Sequence, residues 1–449
     1  MMQKLKDRGI QAADSLLKLV LKKGADDAVV SFILAEETQI KFSNSRINTQ
    51  MIYQPSRLSI FASFNKRIVS TSIKEMDSAS LKRSAENILR AAKYAEPNPN
   101  YMGIAEGPFK YRKDSSLYDR KIDRLGEGAV DYAEEAISSA SKGRVSRVAG
   151  NLETRSYYEY LTTSGKASGE MNSTLIYLSV RAIVDKANSA HSVSVSRNLS
   201  GLDTRGCASE AAELANSSFP EVKLKPGRYD ILFYPLPFAS MLELTAESCS
   251  IFDVEAGLSF LENKIGKRVS SEDFTLMDDP TQKGGIGSIL FDDEGVPVKK
   301  KALIEKGVLK TYLHNTSTSR RYNTETTANA GLISPTPFNV VLKPGIYTME
   351  KMISSIKKGI IVTNLWYTRF QNYRTGEFST LPRDQAFYVK DGKIVGQVRG
   401  IRISDTMPNL LKNVSMIGKN SKKIIGWEVE LPVETPPVVV KNLFVSRPE

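Results

Sequence analysis

Residues 28–42 read AVVSFILAEETQIKF and residues 57–73 read RLSIFASFNKRIVSTSI; in both, apolar and polar side chains follow a period close to two. That spacing sends successive side chains to opposite faces of an extended chain, so both stretches read as strands of an antiparallel sheet. The turn-like SNSR (43–46) and FNKR (64–67) punctuate them. Upstream, Ile10, Ala13, Leu16, Leu17, Val20 and Leu21 recur at helical spacing, and Gly24 stands where a C-terminal cap belongs. An amphipathic helix over 10–21 packed on the sheet is expected.

A second helix fits 78–95, with Leu81, Ala85, Ile88, Leu89 and Ala92 in phase before the breaker EPNPNY. A third carries Leu125, Ala129, Tyr132, Ala133, Ala136, Ile137 and Ala140 as one stripe, closed by SKGR at 141–144. Strand patterns resume over 145–184, through SYYEYLTTSG and TLIYLSVRAIV, and a short alanine-rich helix fits 209–217. The segment FPEVKLKPGR, with two prolines, a glycine and charge, reads as a junction. Two domains follow, 1–220 and 221–449, for a chain of 449 residues. Beyond the junction strands and turns dominate, with helices expected at 236–250 and 348–358. The fold class is α+β: an N-terminal antiparallel sheet with helices and a strand-rich C-terminal domain.

Apolar residues make up 41% and charged residues 25%, the balance of a folded domain. The amino terminus has no unbroken apolar core, and no stretch approaches the ~18 to 20 apolar residues of a spanning helix. A soluble, cytoplasmic protein with no membrane contact is the expectation. The net charge of +12 would favour acidic partners, but the lysines and arginines are scattered and no arginine–aromatic cluster resembles an RNA-binding motif. A solvated basic surface is the simpler reading.

His191 and His314 are the only histidines, and Cys207 and Cys249 the only cysteines. A hydrolytic nucleophile needs a base beside it, usually histidine, and no GxSxG elbow is present. His191, in SAHSVSVS, is expected at a surface or strand position, His314 in a structural role, and both cysteines as inert buried thiols. Phosphate cradles are missing, and GGIGS at 284–288 reads as a turn. Asp278 with Asp279, and DDEG at 292–295, could each offer oxygen ligands, but turn geometry accounts for them more simply.

From Gly227 onward the chain presents GRYDILFYPLPF, GLSFLENKIGKRV, DDPT, GGIGS, DDEGVP, ALIEKGVLKTYL, TTANA, PFNVVLKPG, KKGIIVT, TGEFS and KDGKIVGQVRGIRIS in that order. This order resembles the TldD/TldE family, also called PmbA or modulator of DNA gyrase. The resemblance implies a cytosolic metallopeptidase of two related subunits acting on short or unfolded peptides. Only the TldD-type subunit would hold zinc, through an HExxxH motif and a cysteine near the carboxyl terminus.

Counting back from Gly257, Leu242, Glu243 and Glu247 stand at the positions of the family's first histidine, glutamate and second histidine. The sequence there is LELTAE, and no cysteine follows Cys249. The resemblance therefore implies no catalytic residue and no metal in this chain, with zinc expected in a TldD-type partner. Glu243 and Glu247 are then expected as exposed residues on one solvated helix face, and Cys249 in the core.

The implied partners are that zinc subunit and an unfolded peptide, with a homodimer possible and nucleic acid disfavoured. Peptide could be held by strand addition at an exposed sheet edge. Trp366, Tyr367, Phe370 and Tyr373 place four aromatics within eight residues. They read either as a loop touching peptide or partner, or as ordinary strand packing. Two other functions compete: a nucleic-acid or DNA-gyrase-associated modulator, and a self-sufficient homodimeric peptidase.

Overall fold

The computed structural model describes residues 2–447. Its first half is built on one antiparallel sheet of seven strands: β1 (Asp27–Ser43), β2 (Arg46–Tyr53), β3 (Ser56–Phe64), β4 (Arg67–Ile73), β5 (Arg147–Thr163), β6 (Ser168–Ile183) and β7 (Ser189–Ser196). The spatial order is β4-β3-β1-β5-β6-β7, with β2 pairing the distal half of β1. Both punctuation points become two-residue hairpins in which successive residues take positive φ, Asn44 with Ser45 and Asn65 with Lys66. That backbone twist matches the twist of the flanking strands.

Even-numbered residues of β1 and β5, among them Val30, Phe32, Leu34, Ile40 and Leu152, pack under helices. Met2–Lys22 and Ser78–Tyr94 cover one part of this face, and Ala129–Ala140 with Thr204–Asn216 cover the other. Asp77 caps the second helix by accepting from the Ala79 and Ser80 amides. The expected helix over 209–217 starts at Thr204 instead, because the Asp203 carboxylate caps the Gly206 amide at 2.8 Å. The odd-numbered face carries no helix and turns toward the second half of the chain.

That second half holds two mixed sheets. In the larger, β8 (Gly227–Phe233) lies between Lys358–Val362, parallel, and Val438–Ser446, antiparallel. In the smaller, Leu276–Asp278 and Val340–Leu342 lead to the hairpin Lys422–Gly426 and Val429–Thr435. The large core between these sheets contains Phe233, Phe238, Leu242, Phe274, Leu303 and Val440. The architecture is α+β with two domains, as the patterning predicts.

GGIGS is a turn, and Arg197 straps it to the first sheet by donating to the carbonyls of Gly285 and Ser288. Gly287 permits the close approach there, since a Cβ would lie 1.8 Å from the Phe338 carbonyl oxygen. The acidic motifs are structural. Asp292 accepts from the Glu294 and Val296 amides inside its own turn. Asp278 differs from the expected turn, because it ends a strand and pairs with Lys301 in the interior. No helix among the described residues is long and apolar enough to cross a membrane.

Candidate functional site

The LELTAE motif lies on the helix Pro235–Glu247, which opens on prolines that need no partner for the missing amide hydrogen. The helix is apolar nearly all round, and ten of its residues are buried. A helix of that composition belongs inside a domain rather than on its surface. The expectation of one solvated face is therefore half wrong. Glu247 is exposed, but Glu243 is only 9% exposed, and its Oε1 accepts from the Leu431 amide at 2.7 Å. Leu242 is fully buried in the core.

Desolvation pushes the Glu243 carboxyl up to about 7, against the pull of the Leu431 and Glu430 amides. Partial desolvation and the neighbouring Glu243, Asp253 and Glu430 raise Glu247 to about 7 as well. A carboxyl raised in the fold contributes its full stability below the ordinary glutamate range and loses it as pH climbs through about 7. Glu243→Gln keeps the shape and the acceptor for Leu431 but removes the charge. Urea unfolding should show little change at about pH 5 and a gain on the order of 2 kcal/mol at about pH 8. An equal effect at both pH values would show that Glu243 does not change its charge between them.

These residues do not fit the zinc site that the motif position implies. Leu242 offers no ligand atom, one oxygen of Glu243 is engaged by the backbone, and no group of three or more His, Cys, Asp or Glu side chains that could hold a metal occurs among the described residues. Cys249 is buried just past the end of this helix, its thiol pushed up to about 12 by desolvation and donating to the Thr245 carbonyl.

Glu430 connects this helix to a cleft of 570 Å³. One wall is the helix-free face of β5, β6 and β7, with Glu153, Arg155, Tyr177, Ser179, Arg181 and His191; the other is the hairpin tip with Trp427, together with Arg383. Gly426 lets the hairpin approach closely, since a Cβ there would sit 2.8 Å from the Tyr177 hydroxyl. Trp427 is 71% exposed at that tip.

His191 occupies the expected strand position, and its Nε2 lies 2.9 Å from Ser179 Oγ, a pairing of residues 12 apart in sequence. Burial, reinforced by Arg181, pushes the imidazole down to about 4. It is therefore neutral at physiological pH and too weak a base to activate the hydroxyl. His314 is buried and packs at a tilt against Tyr322 with ring centroids 5.6 Å apart, a structural role.

The four aromatics separate into two groups. Trp366 stacks on Tyr367 at 4.5 Å and faces Trp427 at 6.4 Å. Phe370 turns away to pack on Phe260 and Tyr373. Tyr367 and Tyr373 are exposed, whereas Trp366 and Phe370 are half-buried. Sequence proximity misses Trp427 and Arg383, although Trp427 is the chain's only other tryptophan.

Residues 226–447 match the family profile described as "PmbA/TldA metallopeptidase C-terminal domain". The metalloprotease MJ0996 of Methanocaldococcus jannaschii is 29% identical over 48% of this chain and 50% of its own length. The TldD homologue of Buchnera aphidicola, named a metalloprotease, is 33% identical over 37% of this chain and 35% of its own. The chain thus spans half or less of the first curated relatives it matches. A PmbA homologue of Haemophilus influenzae, also named a metalloprotease, aligns over 90% of both chains at 23% identity. In fold, the chain is similar to TldE of Thermococcus kodakarensis, with TM-score 0.86, 20% identity, and coverage of 97% of this chain and 100% of that one. From the ordered motifs, the matched C-terminal half and the shared two-domain fold, this chain belongs to the TldD/TldE (PmbA) family of peptidases.

Proposed function

We propose that this chain is the metal-free subunit of a two-subunit TldD/TldE-type peptidase, holding extended peptide for a zinc-bearing TldD-type partner. One observation carries the reading: the residue at the first metal-ligand position, Leu242, is a fully buried core side chain. A leucine in that place removes a ligand and fills its space. The glutamate beside it is tied to the backbone of Leu431 and supports the hairpin that forms the cleft.

The cleft supplies what a peptide-holding subunit needs. It has an aromatic lip, a polar wall from the sheet, and both charge signs along its length. The edge strand β2, with Met51, Ile52 and Tyr53 exposed, adds a row of backbone groups that an extended chain can pair with. Two free, buried thiols suit the reducing cytoplasm, where we place the assembly.

The test is to purify the chain alone and co-expressed with a TldD-type partner, then to measure zinc and cleavage of an unfolded peptide in both samples. Zinc and cleavage only in the co-purified complex is the expected result. Stoichiometric zinc and cleavage by the lone chain would overturn the reading.

A further inference from the structure

We propose that a cationic pocket at the end of the cleft captures the C-terminal carboxylate of an extended peptide, with Arg383 as the anchoring group. The proposal rests on the reading of this chain as a peptide-holding subunit, and it names the part of the peptide that is recognised.

Arg383 lines both the 570 Å³ cleft and an adjoining pocket of 270 Å³. Four cationic side chains line that pocket, Arg181, Lys186, Arg383 and Arg399, against one carboxylate, Asp384. Asp384 is already consumed. It is buried and accepts from Arg181, Ser189 and Asn364. Arg399 is shared between Glu221 and the Asn188 side chain, and its Nε is buried without an acceptor. A buried donor left unpaired costs about 1–3 kcal/mol, so a site that holds one is short of an acceptor.

Arg383 itself lies 4.5 Å over the Trp366 ring and 5.5 Å from that of Trp427. These cation–π contacts hold the guanidinium in place without using its N–H donors. Among the described residues it forms no ion pair and no side-chain hydrogen bond. A half-buried guanidinium placed over Trp366 and beside Trp427, with no side-chain partner among the described residues, can offer two hydrogen bonds to a carboxylate.

The rest of the cleft favours a peptide over a nucleic acid. Glu153 and Glu430 line its continuation, and a strand carrying one phosphate per nucleotide would be driven against both. An extended peptide with one terminal charge meets no such repulsion, and its side chains can pack on Trp427 and Tyr177.

Trp366 and Trp427 are the only tryptophans in the chain, so emission excited beyond the absorption of its tyrosines reports on this site alone. The probe is an N-acetylated alanine–glycine hexapeptide, titrated as the free acid and as the C-terminal amide. The free acid should perturb the emission and bind about tenfold more tightly than the amide, the scale of one charge-assisted contact. Arg383→Ala should abolish the preference and Arg383→Lys should retain part of it. Lys186→Ala, at an exposed position that cannot unfold the chain, should weaken the acid by a smaller factor.

Equal binding of acid and amide would overturn the proposal, as would a preference that survives Arg383→Ala. Tighter binding of oligothymidylate with a steep salt dependence would overturn it in favour of a polyanion site. These titrations need only the lone chain. A complex that cleaves peptide while the chain shows no terminus preference removes this inference and leaves the partner-subunit reading intact.

Discussion

Asp278→Ala is expected to lower the stability of this protein by about 3–5 kcal/mol, the cost of breaking a buried ion pair from one side. Asp278 is completely buried and Lys301 is 9% exposed, with Nζ and Oδ2 2.9 Å apart. The carboxylate also accepts from the Phe338 and Asn339 amides and from Asn329 Nδ2 at 2.7 Å. Four donors converge on two oxygens, and these donors span the middle of the smaller C-terminal sheet and the segments joined to it. Removing the carboxylate strands an ammonium and two amides in a region that water does not reach.

The double variant Asp278→Ala with Lys301→Met tests this account. Methionine fills the space of the lysine stem and removes the orphan charge, so the double variant should recover part of the loss. Chemical denaturation of Asp278→Ala, Lys301→Met and the double variant gives the coupling directly. A single-variant loss below about 1 kcal/mol would place the pair among solvent-screened bridges, which are worth little.

The second large effect concerns the motif itself. Introducing Leu242→His together with Glu247→His rebuilds the HExxxH pattern in sequence, and the expected result is a destabilised protein without zinc. The imidazole at position 242 would enter the apolar core that also holds Phe238, Leu276 and Val433. Burying a polar ring there without a partner costs about 2–4 kcal/mol. Glu243 would still be held by Leu431, and no cysteine follows Cys249 to complete the set. Metal analysis after dialysis and a thermal melt read the two parts separately. Stoichiometric zinc in the double variant would show that the helix turns this face to the cleft.

Much of the fold is legible in the sequence because its signals are local. The period-two runs at 28–42 and 57–73 and the stripe over 125–140 each depend on residues within a few positions of one another. The β1–β2 and β3–β4 hairpins could be placed for the same reason, since SNSR and FNKR sit between alternating runs. The helix at 204–216 began earlier than its alanines suggested, because a single capping aspartate outweighed Gly206.

The site was less legible. Glu243 and Glu247 lie four residues apart on one helix, yet one is buried and the other exposed. The difference involves the hairpin 422–435, which is remote in sequence and whose Leu431 amide donates to Glu243. Ser179 and His191 meet because β6 and β7 pair in a particular register, and no local pattern announces that contact. Trp366 and Trp427 are separated by sixty-one positions.

By itself, the sequence determined the α+β class, the strand and helix order and the family, because composition, periodicity and ordered motifs are properties of neighbouring residues. Only the tertiary structure decided which charges are buried, which faces of the sheet meet the second domain, and that Arg383 lies over Trp366 and beside Trp427 with no side-chain partner among the described residues. Burial and pairing are set by long-range packing, and they convert an ordinary glutamate, arginine or tryptophan into part of a site.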